Sequence, residues 1–371
     1  MRFHFAIRRK MGSRLAFVGE IDMFWFLKNR TCSRVSTLRR ITGLPITVSR
    51  IWDSAKWCPI GVDMRDDALT VVQLGNNGRG INLIAGGSKN RPEDVEPGSS
   101  NWQRWAIEAI RELTANGKFR GRDVIAAIPA SEVFIDHIKM PKIKKDKLQD
   151  AVFSKIKQKL PFEPDDAMIK YIPAEEDNVL VIAAERKKID RHLAIYERAN
   201  LQIKSIAVWP AALTNSYAKF FGRRKSDVEA IVMLLDIDTN YTNVVICRHK
   251  NPLFARSIPI GAKQLERAPK RGERHLGTGT NEMTARLVLE LTACKRRFGS
   301  MHEEAQIERL IFLSSQTVDR DICTAIATQL EMPAQMGDCL AAVETANFYS
   351  LGIDRRQCKV NWATAFGLSL S

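Results

Sequence analysis

The sequence predicts an α/β fold made of two related halves. From residue 59 onward, short apolar segments typical of strands alternate with amphipathic segments typical of helices. A pattern of strand, polar turn and strand at 59–74 recurs at 229–249. With 371 residues, the chain is longer than the roughly 250 to 300 residues at which a single core stops growing. Together these features favour a duplicated fold with a cleft between its halves.

The first hairpin, PIGVDMRDDALTVVQL at 59–74, carries Asp63 near the end of its first strand. When Asp236 of the second hairpin is aligned with Asp63, Val244-Val245 falls on Val71-Val72 without a gap. In a fold with a cleft, such turns present backbone N–H groups to phosphate, and two aspartates can hold a divalent ion. The alternative is that both aspartates only cap solvated turns.

The segments between the two hairpins alternate in type. A third short strand is expected at 79–85, and a helix at 99–117 with Ser100 as its N-cap and Gly117 at its end. Further strands are expected at 123–129, 133–140, 178–184 and 203–208, and further helices at 144–160, 187–200 and 210–220.

The net charge of +15 suggests an anionic partner, and it is concentrated at the start of the chain. Residues 1–50 hold eleven Lys and Arg against two acidic residues, and so contribute nine of the fifteen charges. For residues 1–58 the alternatives are contact with an anionic membrane surface, a disordered tail, a transit peptide, or a true start at Met11 or Met23. No nucleic-acid recognition motif accompanies the charge, so nucleic acid is not expected as a partner.

Other patterns limit the possible functions. The best apolar run, at 23–27, is too short to span a bilayer, which predicts a cytosolic chain. Seven cysteines without a CxxC pair predict free thiols in a reducing compartment and no zinc site. No GxSxG pattern supports hydrolase chemistry.

Four stretches together resemble the PilM family of type IV pilus assembly proteins, relatives of FtsA in the actin-like ATPase superfamily. They are PIGVDMRDDALTVVQL, the region from IDHIKMPKIKK to SIAVWPAAL, LLDIDTNYTNVVICRHKNPLFARSIPIGAKQL, and IERLIFLSSQTVDRDICTAIATQLEMPAQM with the terminal WATAFGLSL. The resemblance covers 59–371. It implies an actin-like (ribonuclease H-like, duplicated) two-domain fold with a small inserted subdomain. The expected domains are a basic extension at 1–58, a first half at 59–228 with its insert at about 130–204, and a second half at 229–371 whose C-terminal helix returns to the first half.

The resemblance also implies a site for ATP with Mg²⁺ in the cleft. Asp63 and Asp236 are at the positions that hold the metal, and the other nucleotide positions carried over are Arg65, Thr239, Gly261, Ser314 and Ser315. Several family glycines are missing: the first loop has Arg65 and the second has Asp238 in place of glycine, the loop at 313–316 has none, and Ala262 replaces one more. Side chains at such positions obstruct phosphate, and an added carboxylate repels it. Nucleotide binding is therefore expected to be weak or lost, with no ATP turnover and no catalytic residue.

The family's partner is the short cytoplasmic tail of the inner-membrane protein PilN. The resemblance therefore implies an adaptor at the inner face of the inner membrane, which links the membrane platform to the pilus motor ATPases. Its expected partner groove borders the insert, at Phe134, Ile138, Met140, Val152, Lys155 and Lys159. The alternative for the lysines is a solvated helix face. The alternative function is an active ATPase or small-molecule kinase of the same superfamily, which the missing glycines disfavour.

Overall fold

The computed structural model describes residues 57–76, 80–140, 145–266, 282–313, 318–343, 353 and 360–371, and the backbone at 25–26. The hypotheses for residues 1–58 and the predicted site residues Ser314 and Ser315 therefore fall largely or wholly outside the described residues. The first described elements are β1 (Trp25–Phe26), β2 (Trp57–Met64), β3 (Ala68–Asn76), β4 (Ile81–Asn90), α1 (Ser100–Asn116) and β5 (Asp123–Ala127).

Helix α1 shows how the local sequence sets an element. Its side facing the sheet is apolar, with Trp102, Ala109 and Ile110 buried, as its spacing predicts. The predicted N-cap was wrong by one residue, because Ser99 rather than Ser100 accepts a hydrogen bond from Trp102 N. Gly117 ends the helix as predicted.

An inserted three-stranded unit follows β5. Its elements are β6 (Val133–Lys139), α2 (Lys145–Ile156), β7 (Ala167–Pro173), β8 (Asn178–Glu185) and α3 (Arg186–Arg198). The strands pair antiparallel in the order β6-β8-β7, which leaves β6 at one edge. Helix α2 ends at Ile156, one turn earlier than predicted, and strand β7 was not predicted. Central strand β8 is almost wholly buried because its uninterrupted apolar run is covered on both faces.

The chain returns to the first sheet through β9 (Gln202–Ala207), followed by α4 (Trp209–Phe220) and α5 (Lys225–Glu229). The first sheet has the order β1-β9-β5-β2-β3-β4, with β2 and β3 antiparallel and β5 parallel to both β2 and β9. Within the described part, β1 closes the edge of this sheet by pairing Trp25 and Phe26 with Ile206 and Ser205.

The second half repeats the opening hairpin. Its elements are β10 (Ile231–Ile237), β11 (Thr242–Arg248), β12 (Asn251–Ile258), α6 (Ala262–Leu265), α7 (Glu282–Met301), β13 (Arg309–Phe312), α8 (Arg320–Gln329) and β14 (Ala334–Met336). The sheet order is β12-β11-β10-β13-β14, so β10 and β11 correspond to β2 and β3.

The C-terminal helix α9 (Ala363–Ser369) packs against α4 and against β2 of the first half. The largest apolar core is shared by all three sheets and includes α1 and α4. A second core lies on the other face of the second sheet, and a small one lies between α2 and the insert sheet. The hairpin turns of both halves lie at a shared cleft. No helix among the described residues is long and apolar enough to cross a membrane.

Candidate functional site

The two aligned aspartates occupy the same point of their hairpins. Asp63 pairs with Thr70 across β2 and β3, and Asp236 pairs with Asn243 across β10 and β11, seven residues on in both cases. Both side chains are buried at the cleft. The gapless sequence alignment of the two hairpins therefore agrees with the pairing register of their strands.

Asp236 is held by two amide side chains. Asn361 donates a hydrogen bond to Asp236 Oδ1 at 2.6 Å, and Asn243 donates to Oδ2 at 3.4 Å. Burial raises the pKa of Asp236, and the hydrogen bond from Asn361 opposes that rise. Both oxygens of the predicted metal ligand thus already accept hydrogen bonds from within the protein.

Asp63 has a cationic neighbour. Arg65 Nε lies 3.8 Å from Asp63 Oδ2. Burial raises the pKa of Asp63 to about 7, although Arg65 opposes the rise. The carboxyl is therefore partly protonated near neutral pH, which weakens it as a metal ligand.

Arg65 itself reaches across the cleft to the second half. Its Nη1 donates to Asp238 Oδ1 at 2.7 Å, and both side chains are only 13% exposed. Burial raises the pKa of Asp238, and Arg65 opposes this most strongly. The two residues that the resemblance places at glycine positions thus form one ion pair between the two hairpin turns.

The backbone around Asp238 is tightly packed. Asp238 Oδ1 accepts a hydrogen bond from Thr239 N at 2.9 Å, and Gly261 lies directly against this turn. A Cβ on Gly261 would come within 2.4 Å of Asp238 O, so this position requires glycine for close approach rather than for an unusual φ angle. Ala262 N and Lys263 N donate to Asp238 O and Thr239 O. The predicted site residues Thr239 and Gly261 therefore adjoin the cleft and shape its turn.

The cleft is small and acidic. Its walls include Asp63, Asp66, Asp67, Asp236 and Asp238, with Arg65 as the facing cation. The cavity measures about 30 Å³, which is room for a few water molecules. A nucleotide with Mg²⁺ does not fit these residues, because the Arg65–Asp238 pair occupies the space between the turns and the surrounding carboxylates repel a triphosphate. Within the described residues, no group of three or more His, Cys, Asp or Glu side chains could hold a metal ion.

Most of the predicted peptide anchors belong to the insert's own core. Ile138, Met140 and Val152 are buried in the cluster between α2 and the insert sheet, so they offer no surface to a peptide. This corrects their predicted role, because Ile138 and Met140 pack against the inward-facing Val152 and Ile156 of α2 in this cluster. Phe134 is only partly buried.

The two predicted lysines are exposed but have partners. Lys155 Nζ donates to Lys139 O at 2.8 Å, and Lys159 Nζ lies 2.7 Å from Asp136 Oδ2. They therefore connect α2 and the residues just after it to β6. They also present positive charge at the rim of the insert.

Sequence reasoning missed the amides around Asp236. Asn243 could have been found, because it stands opposite Asp236 once the hairpin register is drawn. Asn361 precedes the terminal WATAFGLSL, and nothing in its local sequence indicates that it reaches the second half.

Comparison with known proteins agrees with the architecture. The family described as type IV pilus assembly protein PilM matches residues 61–271, more than half of the chain. None of the curated proteins matches. Among solved structures, a chain of the PilM-PilN type IV pilus biogenesis complex superposes with a TM-score of 0.67 at 19% identity, covering 84% of this chain and 97% of that one. The predicted actin-like two-half fold is confirmed.

Two further solved structures are more distant. The cytoplasmic domain of EpsL, an inner-membrane component of the type II secretion system of Vibrio cholerae, has a TM-score of 0.43 at 11% identity and covers 68% of this chain and 81% of its own. The ethanolamine utilization protein EutJ from Carboxydothermus hydrogenoformans has a TM-score of 0.45 at 13% identity, with coverages of 85% and 89%.

Proposed function

The chain belongs to the type IV pilus assembly PilM family, and we propose that it is a cytoplasmic adaptor for a PilN-like inner-membrane protein. In this role it binds the short cytoplasmic tail of that protein and links the membrane platform to the pilus motor. The observation that carries the proposal is the family match, which begins within the first hairpin and includes the whole insert and the second hairpin. The solved complex of a PilM with a PilN supports the class of partner.

The proposed adaptor does not depend on nucleotide turnover. The Arg65–Asp238 pair and the buried, partly neutral Asp63 support a degraded nucleotide site. The same features disfavour the alternative, an active ATPase or kinase, because either one needs a triphosphate between the two turns. Its proposed location is peripheral, at the inner face of the inner membrane.

The partner test is a titration of the full chain with the tail peptide of a single-span membrane protein encoded by a neighbouring gene. Saturable binding is expected, and a scrambled tail should not bind. Charge reversal at the rim, Lys155→Glu with Lys159→Glu, is expected to slow association several-fold and reduce its salt dependence. The matched control reverses Lys147 and Lys157, which are also exposed on or just after α2. If the wild-type chain is folded, as a cooperative thermal melt shows, and still does not bind the tail, the adaptor proposal is contradicted.

The nucleotide test is a thermal shift measurement with Mg²⁺ and ATP. A ligand at one hundred times its dissociation constant stabilises a fold by about 2.7 kcal/mol, so a working site gives a clear shift. The wild-type chain is expected to show almost none. The double variant Arg65→Gly, Asp238→Gly, which reopens both turns, is expected to show a larger one. A strong wild-type shift that disappears in Asp63→Ala and Asp236→Ala would instead favour an intact nucleotide site.

A further inference from the structure

A groove separates the insert from the second half. One wall is β6 at residues 133–137, the other is β12 at residues 254–257, and Arg297 of α7 lies at its rim. We call it the edge groove. Its cavity of about 450 Å³ falls within the range of 300 to 1,000 Å³ that is usual for ligand sites and far exceeds that of the cleft.

Both walls of the edge groove are edge strands. β6 is the outer strand of the insert sheet and β12 the outer strand of the second sheet, and neither has a strand partner on its groove side among the described residues. An edge strand offers a row of backbone donors and acceptors to another extended chain.

A histidine side chain of β6 contacts the backbone of β12 inside the edge groove. Ala255 N donates to His137 Nε2 at 3.1 Å, so the N–H of Ala255 points away from β11 and into the groove. The His137 ring stacks on Phe254 at 4.3 Å between ring centres. Burial lowers the pKa of His137 to about 4, so the ring is neutral and free to accept this hydrogen bond. The imidazole thus takes the place that a carbonyl oxygen of an added strand would take.

A second polar group on β12 has no hydrogen-bond partner among the described residues. Ser257 Oγ is buried and has no hydrogen-bond partner within the described part of the chain. It lies two residues after Ala255, so the backbone N–H groups of these two residues point to the same edge, and Ser257 lines the edge groove. Buried hydroxyl groups are normally satisfied, which makes this one a candidate contact for a bound segment.

The accessible charge at the edge groove is positive. The side chains of Arg256 and Arg297 are 44% and 54% exposed, whereas that of Asp136 is 14% exposed and contacts both Lys159 and Arg297. Glu290 partners Arg256 from α7 without covering it. Incoming carboxylates would therefore meet cations at the rim.

We propose that the edge groove binds an extended, acidic peptide segment of a partner protein, which adds as a strand to β12 and displaces His137 from Ala255 N. The site is separate from the nucleotide cleft, and the proposal holds whether or not the chain captures a membrane tail. Backbone hydrogen bonds supply affinity in this mode, and the rim arginines select for acidic side chains.

The test uses the full chain and labelled peptides in fluorescence anisotropy. The probe is a dodecapeptide with alternating Glu and Val at its centre. One comparison peptide has Lys for each Glu, and another has Pro for two central Val residues, which removes backbone donors. The acidic probe is expected to bind at least roughly tenfold more tightly than either comparison peptide. Equal binding of the acidic and basic peptides would overturn the proposal.

Variants locate the binding. The double variant Arg256→Gln, Arg297→Gln is expected to bind the acidic probe roughly tenfold more weakly than wild type. Arg296→Gln is the control, because Arg296 is exposed on α7 next to Arg297, and it should leave the affinity unchanged. His137→Ala frees Ala255 N and is expected to tighten binding of the acidic probe severalfold. Melting temperatures show whether each variant is folded. Retention of full affinity by a folded Arg256→Gln, Arg297→Gln variant would place any peptide binding elsewhere and refute the edge groove as its site.

Discussion

Arg65 and Asp238 lie at equivalent points of the two hairpins, each two residues after its aligned aspartate, and their side chains meet at 2.7 Å across the cleft. The duplicated fold brings these positions face to face. The resemblance predicts glycine at both positions, whereas here Arg65 and Asp238 form an ion pair. The pair is therefore a direct contact between the turns of the two halves.

The first prediction is that this pair is strongly coupled. Arg65→Ala removes the cation that faces four carboxylates of the cleft and is expected to cost about 3 to 5 kcal/mol of unfolding free energy. Asp238→Ala leaves Arg65 near Asp63, so it should cost less. The double variant is expected to lose clearly less than the sum of the single variants, as measured by urea denaturation.

The control cycle uses an exposed pair. Lys204 Nζ lies 3.2 Å from Asp123 Oδ1, with both side chains nearly half exposed, so its coupling is expected below about 1 kcal/mol. Additive losses for Arg65 and Asp238, no larger than in this control, would mean that the pair does not hold the two turns together.

The second prediction concerns pH. Because the pKa of Asp63 is raised to about 7, the folded state keeps a proton that the unfolded state releases near pH 4. The folded state therefore binds more protons between these values, and stability from this group falls as pH rises from about 4 to about 7. In Asp63→Asn this contribution is absent.

The measurement is the melting temperature of both proteins from pH 4.5 to pH 8. The difference between Asp63→Asn and wild type is expected to shift in favour of the variant as pH rises, and to level off above pH 7. His137, whose pKa is lowered to about 4, gives a trend of the opposite sign in both proteins and cancels in the difference. A difference that does not change with pH would show that Asp63 titrates normally.

Much of the fold could be predicted because its signals are local. The hairpins, the apolar face of α1 and the buried run of β8 are visible in strand and helix periodicity. Strand β7 was missed because its alternation, AMIKYIP, is interrupted by Lys170 and ends in proline. The end of α2 was misplaced because Leu160 continues the four-residue spacing one turn past Ile156.

The site was predicted less well because its decisive contacts are not local. The resemblance predicts that Arg65 and Asp238 stand at glycine positions, but only the fold shows that their side chains meet. Likewise, the apolar stripe of α2 could have lined either a groove or a core. The outcome depended on β6 and β8 packing against it, which burial in the structure reveals.

The third prediction concerns the junction between α9 and α4. A Cβ on Gly367 would lie 1.8 Å from Ala212 O, a backbone atom that cannot move without shifting α4. Gly367→Ala is therefore expected to destabilise the fold by about 3 kcal/mol or more. Gly299→Ala is the matched control, because that glycine lies in α7 with nothing within 4 Å of the new methyl group. The control variant should leave the free energy of unfolding unchanged or raise it by up to about 1 kcal/mol. Similar melting temperatures for the two variants would contradict the close packing of α9 on α4.

The last prediction separates the core of the insert from its binding surface. Val152 is fully buried between α2 and the insert sheet, so Val152→Ala leaves a cavity and is expected to cost about 1 to 3 kcal/mol of stability. At a temperature where the variant is still folded, its dissociation rate from the membrane-tail peptide should equal that of wild type. Phe134 is only partly buried and lines the edge groove, so Phe134→Ala should cost less stability. If the membrane-tail peptide contacts Phe134, Phe134→Ala should instead raise the dissociation rate of that peptide.

The dissociation rate of the membrane-tail peptide is measured on each variant by stopped-flow displacement, and the stability by thermal melting. Faster dissociation from a stably folded Val152→Ala would show that α2 opens to admit the peptide, and that the buried stripe is itself the binding surface.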